Sequence, residues 1–177
     1  MSDTDPTRID LVTVDPYTDP FRRRMVGRAT HGNTPFSVPF ISHVEGNLYQ
    51  GGCEDGLVLP ERIKHVVSLY PWEHYTIHHE DVSYRELKMY DSNDGPDRDN
   101  VVELATLVRE SCQDGPTLVH CQAGLNRSGL IAGAALILDG YSPEAAIRLL
   151  RDRRSPSVLC NQTFHDWLLG FRPGAAA

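Results

Sequence analysis

From Ser128 to Leu138 the chain is apolar all the way round a helix, with no charged residue in the segment S-G-L-I-A-G-A-A-L-I-L. A helix on a domain surface shows an apolar stripe and a polar back, whereas one without a polar back has to be covered by protein on every side. The segment therefore predicts a buried central helix, stopped by Gly140. It is too short for a membrane span, which takes roughly 20 apolar residues.

Candidates to cover that helix lie on both sides of it. Short β-rich runs fall at Asn47 to Gln50, His65 to Tyr70, Ser83 to Leu87 and Thr117 to His120. They alternate with helical patterns. Val101, Leu104, Ala105 and Val108 share one face ahead of the turn Asp114, Gly115, Pro116. Ser142 followed by Pro143 reads as an N-cap and first helical position, with Ala145, Ala146, Leu149 and Leu150 as the buried face. Arg151, Arg153 and Arg154 at its end complement the helix dipole. A last helix from Asn161 buries Phe164, Trp167 and Leu168. Strands alternating with helices predict an α/β fold: a central, largely parallel sheet flanked by helices. The 177 residues, 40% hydrophobic, suit one such domain with one core.

The ends read differently. Pro6, Pro16, Pro20, Pro35 and Pro39 interrupt the first forty residues, and no apolar period is sustained there. Residues 1–37 are expected to form an arm without its own core, flexible or draped on the domain, with order beginning near Val38. The domain then runs over 38–172 and a tail over 173–177.

Net charge is −7, which disfavours nucleic acid as a partner, since phosphate backbones attract basic faces. From Ala29 onward 19 acids face 12 bases, and the arm holds Arg22, Arg23, Arg24 and Arg28. Cys53, Cys112, Cys121 and Cys160 show no paired spacing, and the chain opens without an apolar signal stretch. Reduced thiols in a cytoplasmic protein without a membrane partner are expected. His74, His78 and His79 beside Glu73, Glu80 and Asp81 lack the spacing of a zinc site, so neither metal nor cofactor is predicted.

The segment ahead of the buried helix, Leu118 to Gly129, reads L-V-H-C-Q-A-G-L-N-R-S-G and passes from a strand through a tight loop into the helix. Such a passage gathers backbone N–H groups and the positive helix end around one point, which is an anion site. Gly124 lets the loop curl, and Gln122, Ala123, Gly124, Leu125, Asn126 and Arg127 would line the anion. A closed loop puts the Cys121 thiol on one side of a phosphate and the Arg127 fork on the other. A helix N-terminus and a nearby cation favour the thiolate, so Cys121 is the candidate nucleophile. His120 is placed to orient the loop through backbone carbonyls and to add to thiolate stabilisation, and Ser128 to donate its hydroxyl to the sulfur when it departs.

These residues match H-C-x-x-G-x-x-R-S, and the chain resembles the protein tyrosine phosphatase superfamily, most closely its dual-specificity branch. Asn47-Leu48-Tyr49-Gln50-Gly51-Gly52 and Ile63 to Leu69 resemble that branch's first strands, and Arg153 to Trp167 its closing segment. The resemblance implies hydrolysis of phosphate monoesters through a phosphocysteine, with a phosphorylated protein or peptide as partner. It also implies an Asp on an upstream loop as general acid. Asp91, Asp94, Asp97 and Asp99 are the candidates, and Asp91 is preferred because Tyr84 to Tyr90 reads as a strand delivering it to the sheet's edge. To start protonated, it would need a raised pKa.

Three other functions compete. Gly124-Leu125-Asn126-Arg127 resembles cysteine-dependent RNA 5′-triphosphatases, although those act without the Asp and want a basic channel. Phosphoinositide enzymes place lysines in the loop, where this chain has uncharged residues. A catalytically silent module would bind phosphate without turnover.

Overall fold

The structure is a computed structural model that describes residues 4–13 and 17–174. Its main sheet holds five strands in the order β4, β5, β8, β6, β7, built from Ile41–Glu45, Leu48–Gly51, Thr117–His120, His65–Ser68 and Ser83–Glu86. The β4–β5 pair is antiparallel and the other pairings are parallel. The central strand β8 is buried along its whole length, as a strand covered on both faces must be. Its register sets Gly51 of β5 and Ser68 of β6 on either side of His120. All three strands thus end together, at the carboxyl edge from which a ligand-binding loop of an α/β sheet emerges.

Four helices follow: α1 (Arg98–Asp114), α2 (Arg127–Leu138), α3 (Pro143–Arg153) and α4 (Gln162–Gly170). Helix α2 is the central one and packs against α1, α3, α4, β5 and β8. That enclosure is what its all-round apolar sequence requires. At Gly133 a Cβ would stand 2.5 Å from Leu168 Cδ2, so the missing side chain is what lets α4 close on α2. The expected α1 face, Val101, Leu104, Ala105 and Val108, is buried. Ser142 and Asn161 cap α3 and α4 by accepting the N–H of Ala145 and Phe164. In α3 the buried face is turned slightly from the expected one: Ile147 is buried with Ala146 and Leu150, and Ala145 and Leu149 are half-buried. Trp167 is half-buried and stacks on Phe171. Strand β7 ends at Glu86 rather than running on to Tyr90.

The largest departure from expectation is in the first forty residues. Strands β1 (Leu11–Thr13), β2 (Arg24–Ala29) and β3 (Thr34–Pro39) form a separate antiparallel sheet, so order begins well before Val38. Met25 and Val38 are fully buried, and Phe36 and Ala29 nearly so. The prolines are compatible with a strand because β3 is an edge: Pro35 and Pro39 lack an N–H that an edge strand does not need on its outer side. The alternation was present in T-P-F-S-V-P, where Phe36 and Val38 point in and Pro35 and Ser37 point out. No helix among the described residues is long and apolar enough to cross a membrane.

Candidate active site

The loop from Cys121 to Asn126 joins β8 to α2 and is buried throughout. Cys121 N–H donates to Gly51 O at 3.2 Å, and the Gln122 and Leu125 carbonyls accept from the N–H groups of Cys53 and Leu159. These bonds turn carbonyls outward from the loop. None of the N–H groups from Gln122 to Asn126 donates to a backbone carbonyl among the described residues, so they are free to face an anion at the loop's centre. Gly124 sits at φ +69°, and a Cβ there would lie 2.4 Å from the Gly51 carbonyl carbon. Both the backbone conformation and the close approach demand glycine.

Arg154 holds the loop from beneath. Its Nε donates to Gly124 O at 2.6 Å and its Nη2 to Ala123 O at 2.9 Å. Nη1 reaches Pro39 O, Ser42 Oγ and Gln50 O. Burial lowers its pKa to about 10, still high enough to keep the charge at neutral pH. The role expected for Arg154, complementing the α3 dipole with Arg151 and Arg153, is therefore corrected: it lies one residue past the helix and turns inward. Gln50 adds a second support, with Nε2 donating to Gly124 O and to Ser128 Oγ, both at 3.1 Å. Sequence reading missed both residues, because nothing local marks them.

Ser128 Oγ lies 3.5 Å from Cys121 Sγ. A thiol at Cys121 can donate to that oxygen, and a thiolate there can accept the hydroxyl's hydrogen. His120 is fully buried, with Nδ1 3.2 Å from Cys121 O and its ring edge-on to Tyr75. Desolvation lowers its pKa to about 4, so the ring is neutral and orients without adding positive charge. The expected share of His120 in thiolate stabilisation is thereby reduced to that of a dipole.

Arg127 opens α2, and its Nη1 donates to Met89 O at 3.0 Å and to Asp5 Oδ2 at 2.8 Å. Asp5 comes from the segment read as an arm, and nothing in the sequence pointed to it. The guanidinium also lies over the Tyr70 ring, 5.2 Å from its centroid.

Of the four acid candidates, Asp91 is the one that lines the same cavity as Cys121 and Arg127. Asp94 is exposed, Asp97 caps α1 by accepting from Asn100 N–H, and Asp99 sits in that helix's first turn. Asp91 accepts from Asn126 Nδ2 at 2.9 Å and Asn161 Nδ2 at 2.8 Å, and His31 Nε2 lies 3.1 Å from Oδ1. Burial raises its pKa, but the bonds from His31, Asn161 and Asn126 outweigh that, and the net direction is downward. The expected raised value is not what this arrangement produces; three donors favour the ionised carboxylate. Asp91 in turn raises the pKa of His31, chiefly through their hydrogen bond. Asn126 is thus turned toward Asp91 and Asn161 N–H rather than toward the loop's centre.

Among the described residues no group of three His, Cys, Asp or Glu side chains is placed to hold a metal. His74 pairs with Glu86, and His79 Nε2 contacts Ile63 O. The four cysteines are free thiols.

Comparison with known proteins agrees with this geometry. Residues 56–173 match the family model described as dual specificity phosphatase, catalytic domain. Cyclin-dependent kinase inhibitor 3 of Rattus norvegicus is 38% identical over 77 residues, covering 42% of this chain and 35% of its own length. The chain spans 30% to 57% of the length of its four matched relatives of that name. The crystal structure of human DUSP28 superposes with a TM-score of 0.61 at 14% identity, covering 72% of this chain and 94% of that one. OH1 from the Orf virus superposes with a TM-score of 0.56 at 22% identity, over 73% and 84%. With the loop, its supports and this match in hand, the chain belongs to the dual specificity phosphatase family, matched through its catalytic domain.

Proposed function

We propose that the chain is a protein phosphatase that hydrolyses phosphotyrosine, and more slowly phosphoserine and phosphothreonine, through a phosphocysteine. The observation that carries this reading is the shared loop: Cys121 and Arg127 flank amides that no backbone carbonyl occupies among the described residues. In the first step Cys121 Sγ attacks phosphorus, the bond to the leaving oxygen breaks, and Asp91 gives that oxygen a proton. In the second, water attacks the phosphocysteine, Asp91 takes a proton from it, and the sulfur leaves with the Ser128 hydroxyl donating to it. Arg127 holds the transferring group throughout. Asp91 as found is suited to the second step. A phosphate dianion in its cavity favours the protonated form needed for the first.

The chain's acidity and the engagement of the arm's arginines weigh against an RNA substrate. Arg22 lies on the Tyr17 ring, Arg23 pairs with Glu54, and Arg24 and Arg28 donate to Ser37 and Asn33. The test is kcat/KM for a phosphotyrosine peptide, a phosphoserine peptide and triphosphorylated RNA on the full chain and on Cys121→Ser. Turnover of both peptides, tyrosine faster, with none in Cys121→Ser, is expected. A higher RNA value would replace this reading with an RNA 5′-triphosphatase, and tight peptide binding without phosphate release would replace it with a silent module.

A further inference from the structure

The stretch that carries Asp91, residues 87–97 between β7 and α1, has neither helix nor strand, and residues 88–96 make no backbone-to-backbone hydrogen bond among the described residues. Side chains from elsewhere satisfy its peptide groups instead. Arg127 Nη1 donates to Met89 O, Asn161 Nδ2 to Ser92 O at 2.8 Å, and Thr163 Oγ1 to Asn93 O at 3.2 Å. At Asp91 itself both peptide groups are taken by the first forty residues. Its N–H donates to Thr7 Oγ1 at 3.0 Å, and its carbonyl accepts from His31 Nε2 at 2.8 Å.

His31 Nε2 also lies 3.1 Å from Asp91 Oδ1. One nitrogen thus ties the carbonyl and the carboxylate of the same residue, which fixes the rotation of the carboxyl group against its own backbone. Asn126 and Asn161 bond the carboxylate but neither Asp91 peptide group. Because both Asp91 atoms facing Nε2 are acceptors, this nitrogen carries a hydrogen whether the ring is neutral or charged, so the hold needs a donor rather than a charge. The place of His31 follows from its hairpin. Strands β2 and β3 pair from Arg24 with Pro39 to Ala29 with Thr34, which leaves Thr30 to Asn33 as the tip. Gly32 and Asn33 close that tip at φ +66° and +50°, the left-handed conformation that these two residue types accept most readily. Ala29, the last paired residue of β2, lines the cavity of Cys121, Arg127 and Asp91.

We infer that His31 is a positioning residue for the general acid, and that the β2–β3 hairpin thereby completes the catalytic site from outside residues 56–173, the part matched to the family model. This role rests on the phosphatase reading, in which Asp91 protonates the leaving oxygen, and it names what aims that proton. Among the described residues His31 bonds to Asp91 and not to the phosphate loop, so its loss should spare phosphate binding and fall on proton transfer.

The test compares wild type, His31→Ala and His31→Gln as full chains. It measures kcat/KM for p-nitrophenyl phosphate, whose leaving group departs readily without a proton, and for phenyl phosphate, whose leaving group depends on one. Inorganic phosphate is titrated by calorimetry alongside. In His31→Ala the ratio of the two kcat/KM values should shift about tenfold against phenyl phosphate, a part of the ~10²–10⁴ that a positioned acid supplies. Glutamine offers an uncharged N–H at a reach similar to that of Nε2, so His31→Gln should return the ratio to within about twofold of wild type. Phosphate Kd should stay within about twofold in both variants. An unchanged ratio in His31→Ala, or one that His31→Gln fails to restore, would overturn the positioning role. Lost phosphate binding in His31→Ala would assign His31 to the fold and overturn it as well. If wild type binds inorganic phosphate but releases none from either ester, the phosphatase reading itself falls, and the role of His31 with it.

Discussion

Arg127 and Asp5 stand 122 positions apart in sequence, yet Nη1 of one donates to Oδ2 of the other at 2.8 Å, with the two side chains 3% and 0% exposed. A guanidinium that deep needs an acceptor at all times, and Met89 O supplies a second. Its planar fork can hold both and still present edges to a phosphate. Lysine offers a single point charge. Arg127→Lys should therefore cut kcat/KM by at least about 100-fold, the scale of losing an oriented donor to a developing charge. Stopped-time phosphate release from a phosphotyrosine peptide measures it; a loss under about tenfold would contradict the clamp role.

Cys121→Ser should abolish turnover while the fold and phosphate binding persist, because the hydroxyl is far less readily ionised than a thiol. Retention of more than about a tenth of wild-type activity would leave under ~1.4 kcal/mol for the nucleophile and would remove it from the mechanism.

Asp91→Asn should remove the alkaline limb of kcat/KM and slow poor leaving groups more than good ones. It also sets an amide against three donors, Asn126, Asn161 and His31. Profiles of Asp91→Asn and Asp94→Asn measured side by side decide the acid. Loss of the limb in the second and not the first would transfer the role to Asp94.

Stability should fall in acid for a stated reason. Burial keeps His120 neutral down to about 4, whereas the unfolded ring takes a proton near ~6.5. Its contribution is therefore full above the unfolded value and lost as pH falls through about 4, on the order of 3 kcal/mol in all. Asp91 has the same sign, since burial is outweighed by its three donors and its folded pKa is lowered. Its contribution holds above the unfolded carboxylate value and is lost at still lower pH. Urea unfolding at pH 7 and pH 4 should show the decline in wild type and a shallower one in His120→Asn. Parallel declines would show that His120 is not its source.

Arg154→Met strips the donors from the Ala123 and Pro39 carbonyls and leaves the Gly124 carbonyl with Gln50 Nε2 alone. Each buried acceptor left bare costs ~1–3 kcal/mol, so a total of about 3 kcal/mol is expected. In a chain of this size that lowers Tm by roughly 6–12 °C. Phosphate affinity should fall with it, because the loop amides lose their support. A Tm within about 2 °C of wild type would show that the loop holds itself.

What the sequence determined by itself was local. Thr117 to Leu138 carried its own strand, loop and buried helix, because a short β-rich run, the glycine at φ +69° and an apolar stretch without a polar face all act between near neighbours. Cys121, Arg127 and Ser128 were legible there for that reason, as were the caps Ser142 and Asn161. In T-P-F-S-V-P the alternation was also local, but prolines obscured it, since their tolerance depends on β3 being an edge, and edges exist only once strands are ordered in a sheet. Arg153 and Arg154 are adjacent and chemically identical; one stays exposed on α3, and the next, one residue past it, is buried under the loop. The tertiary structure alone brought Asp5 to Arg127, and His31, Asn126 and Asn161 to Asp91. Those contacts join residues 35 to 122 positions apart in the chain, and no pattern of neighbours encodes a distance that packing and strand register set.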